Sequence, residues 1–201
     1  MNQRIRNCAA AAALLLTAMT AMTASATNYT AILTGPQESP PNTSPAIGAA
    51  VVKFDPVSHI LEVDVAFSGL ILPSTISHIH CCTTTPGAGV AGVATEVPTF
   101  GGFPMGVTSG AYTNTYNTSL TASWNPAFLS GHGGTTAGAE AAFATGLNAG
   151  EAYLNIHSER YPGGEIRGFL TTAPVPEPAT IAMLGLGVPA VLLMARRRRK
   201  M

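Results

Sequence analysis

His59-Ile60-Leu61-Glu62-Val63-Asp64-Val65-Ala66-Phe67 is the stretch that decides the fold class. Successive side chains of an extended chain point to opposite faces, so Leu61, Val63, Val65 and Phe67 share one face and Glu62 and Asp64 the other. That alternation predicts a half-buried strand. Just upstream, Asp55-Pro56-Val57-Ser58 reads as a reverse turn, because proline presets the second turn position and aspartate suits the first. The turn joins the strand to Ala46–Phe54, a run of small and apolar residues, and predicts an antiparallel hairpin. Further back, the stretch 35–45 holds four prolines in eleven residues and reads as a loop, preceded by a first strand over Tyr29–Leu33.

Downstream, Ser68–Ser74 is a break and Thr75–His80 a short strand. The segment 86–110 carries seven glycines and three prolines, a long surface excursion with Val90, Val93, Val97, Phe100 and Phe103 as apolar anchors. Tyr112–Trp124 alternates imperfectly and supplies one or two strands. Thr136–Leu147 places Ala139, Ala142, Phe143 and Leu147 at helical spacing and ends at Asn148-Ala149-Gly150, the one good helix. Two last strands, Glu151–His157 and Glu165–Thr171, flank the turn Tyr161-Pro162-Gly163-Gly164. Short strands separated by frequent turns predict a mostly-β domain, an antiparallel immunoglobulin-like sandwich with one short helix.

The two ends of the chain are addresses. Arg4 and Arg6 precede an uncharged stretch, Ala9–Met22, that closes on Ala24-Ser25-Ala26, the order of a secretory signal peptide cleaved after Ala26 (residues 1–26). At the other end (174–201), Val175-Pro176-Glu177-Pro178-Ala179-Thr180 is followed by an apolar run, Ile181–Ala195, and by Arg196-Arg197-Arg198-Arg199-Lys200. The apolar run is a hydrophobic, membrane-inserting helix, yet it is shorter than the roughly 20 residues of a standard span and contains Pro189. The apolar run is therefore not a permanent anchor. Between the ends, residues 27–176 carry three basic against nine acidic side chains, a net charge of −6 with histidine neutral. An acidic domain speaks against nucleic acid as a partner. About 150 residues suffice for one domain, here 27–173.

Ser77-His78-Ile79-His80, and then Ala152-Tyr153-Leu154-Asn155-Ile156-His157-Ser158-Glu159-Arg160-Tyr161-Pro162-Gly163-Gly164-Glu165-Ile166-Arg167-Gly168, resemble the CHRD domain, the repeat named after chordin. The opening loop Thr34-Gly35-Pro36-Gln37-Glu38-Ser39-Pro40-Pro41 fits the same family. The resemblance covers roughly Ala31–Thr171 and marks Tyr153, Asn155, Pro162, Gly163, Gly164, Glu165, Arg167 and Gly168 as its structural motif. The tail resembles the PEP-CTERM sorting signal, with Pro176, Glu177 and Pro178 in the motif position. That resemblance implies an exosortase as processing partner after the secretion machinery, a Gram-negative host that makes extracellular polysaccharide, residence in the inner membrane before processing, and then the cell surface or the extracellular space.

On an extended strand His78 and His80 project from one face about 6.6–6.8 Å apart along the chain, close enough for two imidazoles to converge on one ion. His157 lies on the Tyr153, Asn155, His157 face of a later strand and supplies a third ligand if that strand is a neighbour. Three neutral imidazoles suit copper or zinc. The set is similar to the copper ligands of copper/zinc superoxide dismutase, a β-sandwich with a His-x-His pair, a distant third histidine and a late arginine, here Arg167. No histidine occurs between Cys81 and Ser130, so that enzyme's zinc-loop ligands have no counterpart. The alternative role for the same histidines is structural, each imidazole donating at one nitrogen and accepting at the other to lock strands and loops. Glu165 and Arg167 share a strand face, as a buried ion pair or with Arg167 on a loop carbonyl.

Cys81 and Cys82 are the cysteines left after signal removal. An adjacent bridge, an intermolecular bridge, thiolate ligation beside His78 and His80, or two buried thiols all remain open. No nucleophile elbow or Ser/His/Asp order stands out, and His59 and His132 look solitary. Two function classes follow. One is a non-enzymatic exported β-domain associated with extracellular polysaccharide, as in a biofilm, or with a surface protein, with no cofactor. The other is a copper- or zinc-binding periplasmic or surface protein, superoxide-dismutase-like in its ligand set.

Overall fold

The computed structural model of the chain describes residues 26–173. The signal segment before Ala26 and the sorting tail from Pro174, with the helices expected there, lie outside the described residues.

Among the described residues the strands are β1 (Thr27–Thr34), β2 (Ile47–Asp55), β3 (Ile60–Ser68), β4 (Ser74–His80), β5 (Gly110–Asn117), β6 (Tyr153–Ser158), β7 (Ile166–Phe169) and β8 (Thr171–Thr172), and the helices α1 (Pro126–Gly131) and α2 (Thr136–Ala149). The strands hydrogen-bond in the order β4-β6-β7-β1-β2-β3-β5, with β8 beside β1, and every pairing is antiparallel. The mostly-β class read from composition holds, as one curled antiparallel sheet.

The hairpin expected around Asp55 is β2–β3. The Asp55 carboxylate accepts the Val57 and Ser58 amides at 2.9 and 3.3 Å, and His59 closes the turn at φ 59°. Register then pairs Phe54 with Leu61, Val52 with Val63 and Ala50 with Val65, so the apolar faces coincide and all six are buried. On the outer face Glu62 meets Lys53 at 2.9 Å, an exposed pair worth about 0–1 kcal/mol.

Helix α2 closes the core from one side. Thr135 Oγ1 accepts the Gly138 amide at 3.1 Å as N-cap, and Gly150 ends the helix at φ 70°. Phe143, fully buried, stands edge-on to both Phe54 and Trp124, with ring centroids 5.4 Å apart in each case. Such pairs add about 0.5–1.5 kcal/mol beyond area burial. One local expectation is revised. A second helix, α1, forms where none was expected, because Asn125 accepts the Ala127 amide and Pro126 occupies the first turn, where its missing N–H costs nothing. Tyr112–Trp124 yields one strand, then a 3-10 turn at Thr121–Ser123.

The long excursion after β4 spans the two edges of the curled sheet. Its Ala94 amide bonds Ile79 O at 2.9 Å and the Cys81 amide bonds Gly92 O at 3.1 Å, covering the free edge of β4. Phe100, fully buried, bonds Ser77 O and packs on Tyr112 and Tyr116 of β5, with centroids at 5.8 and 5.6 Å. Antiparallel sheets commonly leave one face wet. Here all six residues of β6 are buried. Ile79, Leu154, Ile156 and Ile166 face the core, and the opposite faces of β4, β6 and β7 carry His78, His80, Tyr153, Asn155, His157 and Arg167. That polar face lies under the loops 35–42, 86–98 and 159–164.

Candidate metal centre

Strand register assembles the site. Antiparallel partners point the same way, and β4 pairs His78 with Asn155 and His80 with Tyr153, while β7 pairs Arg167 with Asn155. His157, two residues beyond Asn155, falls on the same face. The three imidazoles offer one nitrogen each within 4.8 Å of one another, and their centroids lie 5.9–6.3 Å apart. Small side-chain rotations bring such nitrogens onto one ion at about 2.0–2.1 Å.

Each ring is pinned by a loop carbonyl: His78 Nε2 by Pro98 O at 2.7 Å, His80 Nδ1 by Ala91 O at 2.9 Å, and His157 Nδ1 by Pro162 O at 2.8 Å. A carbonyl can only accept, so each of these nitrogens carries the proton and the other is a bare lone pair. The bare atoms, His78 Nδ1, His80 Nε2 and His157 Nε2, are buried without a partner. Burial lowers the pKa of all three, that of His80 to about 4, where His157, His78 and Arg167 add to the effect. The sequence reading allowed either structural hydrogen bonds or ligation; the rings do the first with one nitrogen and keep the second free. Tyr153 stacks on His80 at 4.7 Å, and the Arg167 guanidinium sits 4.7 Å over the Tyr153 ring.

Around the histidines lies a set of polar contacts. Glu165 does not pair with Arg167. Its buried carboxylate accepts the hydroxyls of Ser44 (2.6 Å) and Ser158 and the Ile71 amide (2.8 Å). Arg167 instead donates to the carbonyls of Gln37 and Gly89, and its acidic neighbour is Glu38 at 3.9 Å. Glu38 accepts both contacts from Asn155 Nδ2, at 3.0 and 3.2 Å, and burial pushes its pKa up to about 7 against the pull of Arg167 and Asn155. Glu38 was not foreseen as a site residue. Its signal was its isolation, as the one charged residue from Thr27 to Val52.

The motif glycines have steric jobs. A Cβ at Gly164, φ 128°, would stand 2.6–2.8 Å from Asn155 Nδ2, Asn155 Oδ1 and Glu38 Oε1, and one at Gly168 would strike the Ile32 carbonyl of β1. Pro162 lends its carbonyl to His157, whereas Gly163 is exposed at the turn.

Cys81 and Cys82 are bonded to each other. The adjacent bridge is therefore the arrangement adopted, and neither sulfur is available as a thiolate ligand. The bridge seats on Gly146 of α2, where a Cβ would collide with both sulfurs. His59 and His132 are not solitary. His59 Nδ1 contacts Glu140 of α2 at 2.9 Å beside Thr118, and His132 Nδ1 donates to Phe128 O at 2.8 Å. Neither joins the three-histidine cluster.

Comparison with known families completes the picture. The family model of the CHRD domain matches residues 29–170, and that of the PEP-CTERM protein-sorting motif matches residues 174–200. No curated protein and no solved structure matches the chain. The sorting motif marks an exported protein recognised by an exosortase. With strands β2 to β7, the paired histidine strands among them, falling inside the matched region, the chain belongs to the CHRD-domain family.

Proposed function

We propose that this exported domain binds one copper or zinc ion through His78 Nδ1, His80 Nε2 and His157 Nε2. The observation that carries the reading is the pattern of orphaned atoms: three imidazoles each hold a carbonyl with one nitrogen and present the other, buried and unpartnered, to a common point. An unsatisfied buried polar group costs about 1–3 kcal/mol, so three together rival the roughly 5–15 kcal/mol net stability of a domain. An ion bound at that point removes the cost. Neutral nitrogen donors suit copper and zinc over magnesium or calcium, which prefer oxygen. The role is binding at or beyond the cell surface, with no turnover assigned.

The test is metal analysis of the full chain, stripped with chelator and dialysed against copper or zinc. One ion per chain is expected, falling to none in His78→Ala and His157→Ala. Wild type without stoichiometric metal, or variants that load as well as wild type, would sink the reading. The second reading, a metal-free module associated with extracellular polysaccharide or a surface protein, draws on the sorting motif. In that case the purified chain co-sediments with the producing cell's polysaccharide whether or not metal is present.

A further inference from the structure

Four buried side-chain atoms without a hydrogen-bond partner occur among the described residues, and three are the imidazole nitrogens already assigned. The fourth is Asn155 Oδ1, on the same face of the same strands. Asn155 stands opposite His78, where facing Cβ atoms lie about 4.5–5.5 Å apart. It also precedes His157 by two residues. Its amide is not free to turn. Both Glu38 oxygens receive Nδ2, at 3.0 and 3.2 Å, Arg167 stands 3.9 Å from that carboxylate, and Gly164 packs against the amide where any side chain would intrude. The nitrogen end is thus committed to Glu38, and the oxygen end is left as a bare acceptor.

Three protein nitrogens leave a tetrahedral ion one position short, and an open position takes water. From this we infer that Asn155 Oδ1 accepts a hydrogen bond from a water bound at the fourth position of the ion on His78, His80 and His157, with Glu38 as the positioning residue that aims the amide. The inference rests on the metal reading and adds to it a ligand preference. The pocket receives small ligands that can donate a hydrogen bond, such as water, and disfavours those that only accept, such as azide, because two acceptors would then face each other in a dry site.

The test uses the copper(II)-loaded full chain in water enriched in oxygen-17, read by electron paramagnetic resonance, with azide titration alongside. Wild type is expected to show oxygen-17 broadening. Asn155→Val is expected to keep one copper, show weaker broadening because its water is held less firmly, and bind azide about tenfold tighter, the ratio that one unfavourable acceptor contact implies. Asn155→Thr, whose oxygen lies nearer the backbone, weakens the broadening and stands in should the valine variant fail to load copper. Copper uptake without broadening in wild type overturns this inference alone, as does broadening and azide affinity unchanged in the variants. No copper uptake by wild type overturns the metal reading and this inference with it.

Discussion

Replacing Glu38 by Gln should change how stability depends on pH by an amount that the structure sets. Glutamine keeps an oxygen to accept Asn155 Nδ2 but does not titrate. In the native chain burial raises the Glu38 pKa to about 7 from its ordinary 4.5, with Arg167 and Asn155 opposing. A raised folded-state pKa contributes stability that is fully present below the unfolded value and lost as pH rises through the folded one. Wild type therefore loses about 3 kcal/mol from this group between pH 4 and pH 8.5, at about 1.4 kcal/mol per pKa unit. The buried histidines act with the opposite sign. Burial depresses their folded-state pKa values, that of His80 to about 4, so their contribution is present above about 6.5 and lost as pH falls below 6.5 toward the depressed folded-state values. Wild type and Glu38→Gln share that second dependence, and it cancels in their difference. Urea unfolding of both proteins at a series of pH values, in chelator, measures the difference directly. Glu38→Gln should gain about 3 kcal/mol on wild type between pH 4 and pH 8.5, whatever the fixed cost of losing the Arg167 contact. Parallel stability profiles would refute the assignment of Glu38 as a carboxylate held protonated near neutrality by burial.

Gly146→Ala should lower stability by about 1–3 kcal/mol, although alanine is the better helix former by about 1 kcal/mol, because its Cβ meets both sulfurs of the Cys81–Cys82 bridge against the core. A urea midpoint at or above wild type would count against that packing. In the tail, Glu177→Ala within the sorting motif should leave the chain uncut in membranes, scored by fractionation and immunoblot. Equal release of mutant and wild type would overturn its role in processing.

Most of the sheet was legible because its signals are local. Alternation over Leu61–Phe67, the Asp55-Pro56 turn and the Tyr161–Gly164 turn each depend on residues a few positions apart, and β3, the β2–β3 hairpin and the β6–β7 turn followed. Helix α1 escaped because six residues give too little periodicity, and its cap and proline look like any turn. The His78/His80 pair was visible for the same local reason, two residues apart on a strand. The Glu38 contacts were not, since 117 positions separate Glu38 from Asn155.

What the sequence determined by itself was family, export and chemistry in stock: the CHRD and sorting motifs, an acidic β-rich domain, and three histidines on strand faces. The tertiary structure decided which of these residues meet. Pairing β4 with β6 across more than seventy residues sets His157 beside His78 and His80, and two loops, the excursion after β4 and the turn after β6, supply the carbonyls that choose which nitrogen of each ring is free. It likewise chose the adjacent cysteine bridge over thiolate ligation, and gave Arg167 to Glu38 rather than Glu165. The reason is one of range. Periodicity and turn chemistry act over a few residues and are written in the order of the chain, whereas ligand convergence and burial depend on which distant strands share an edge.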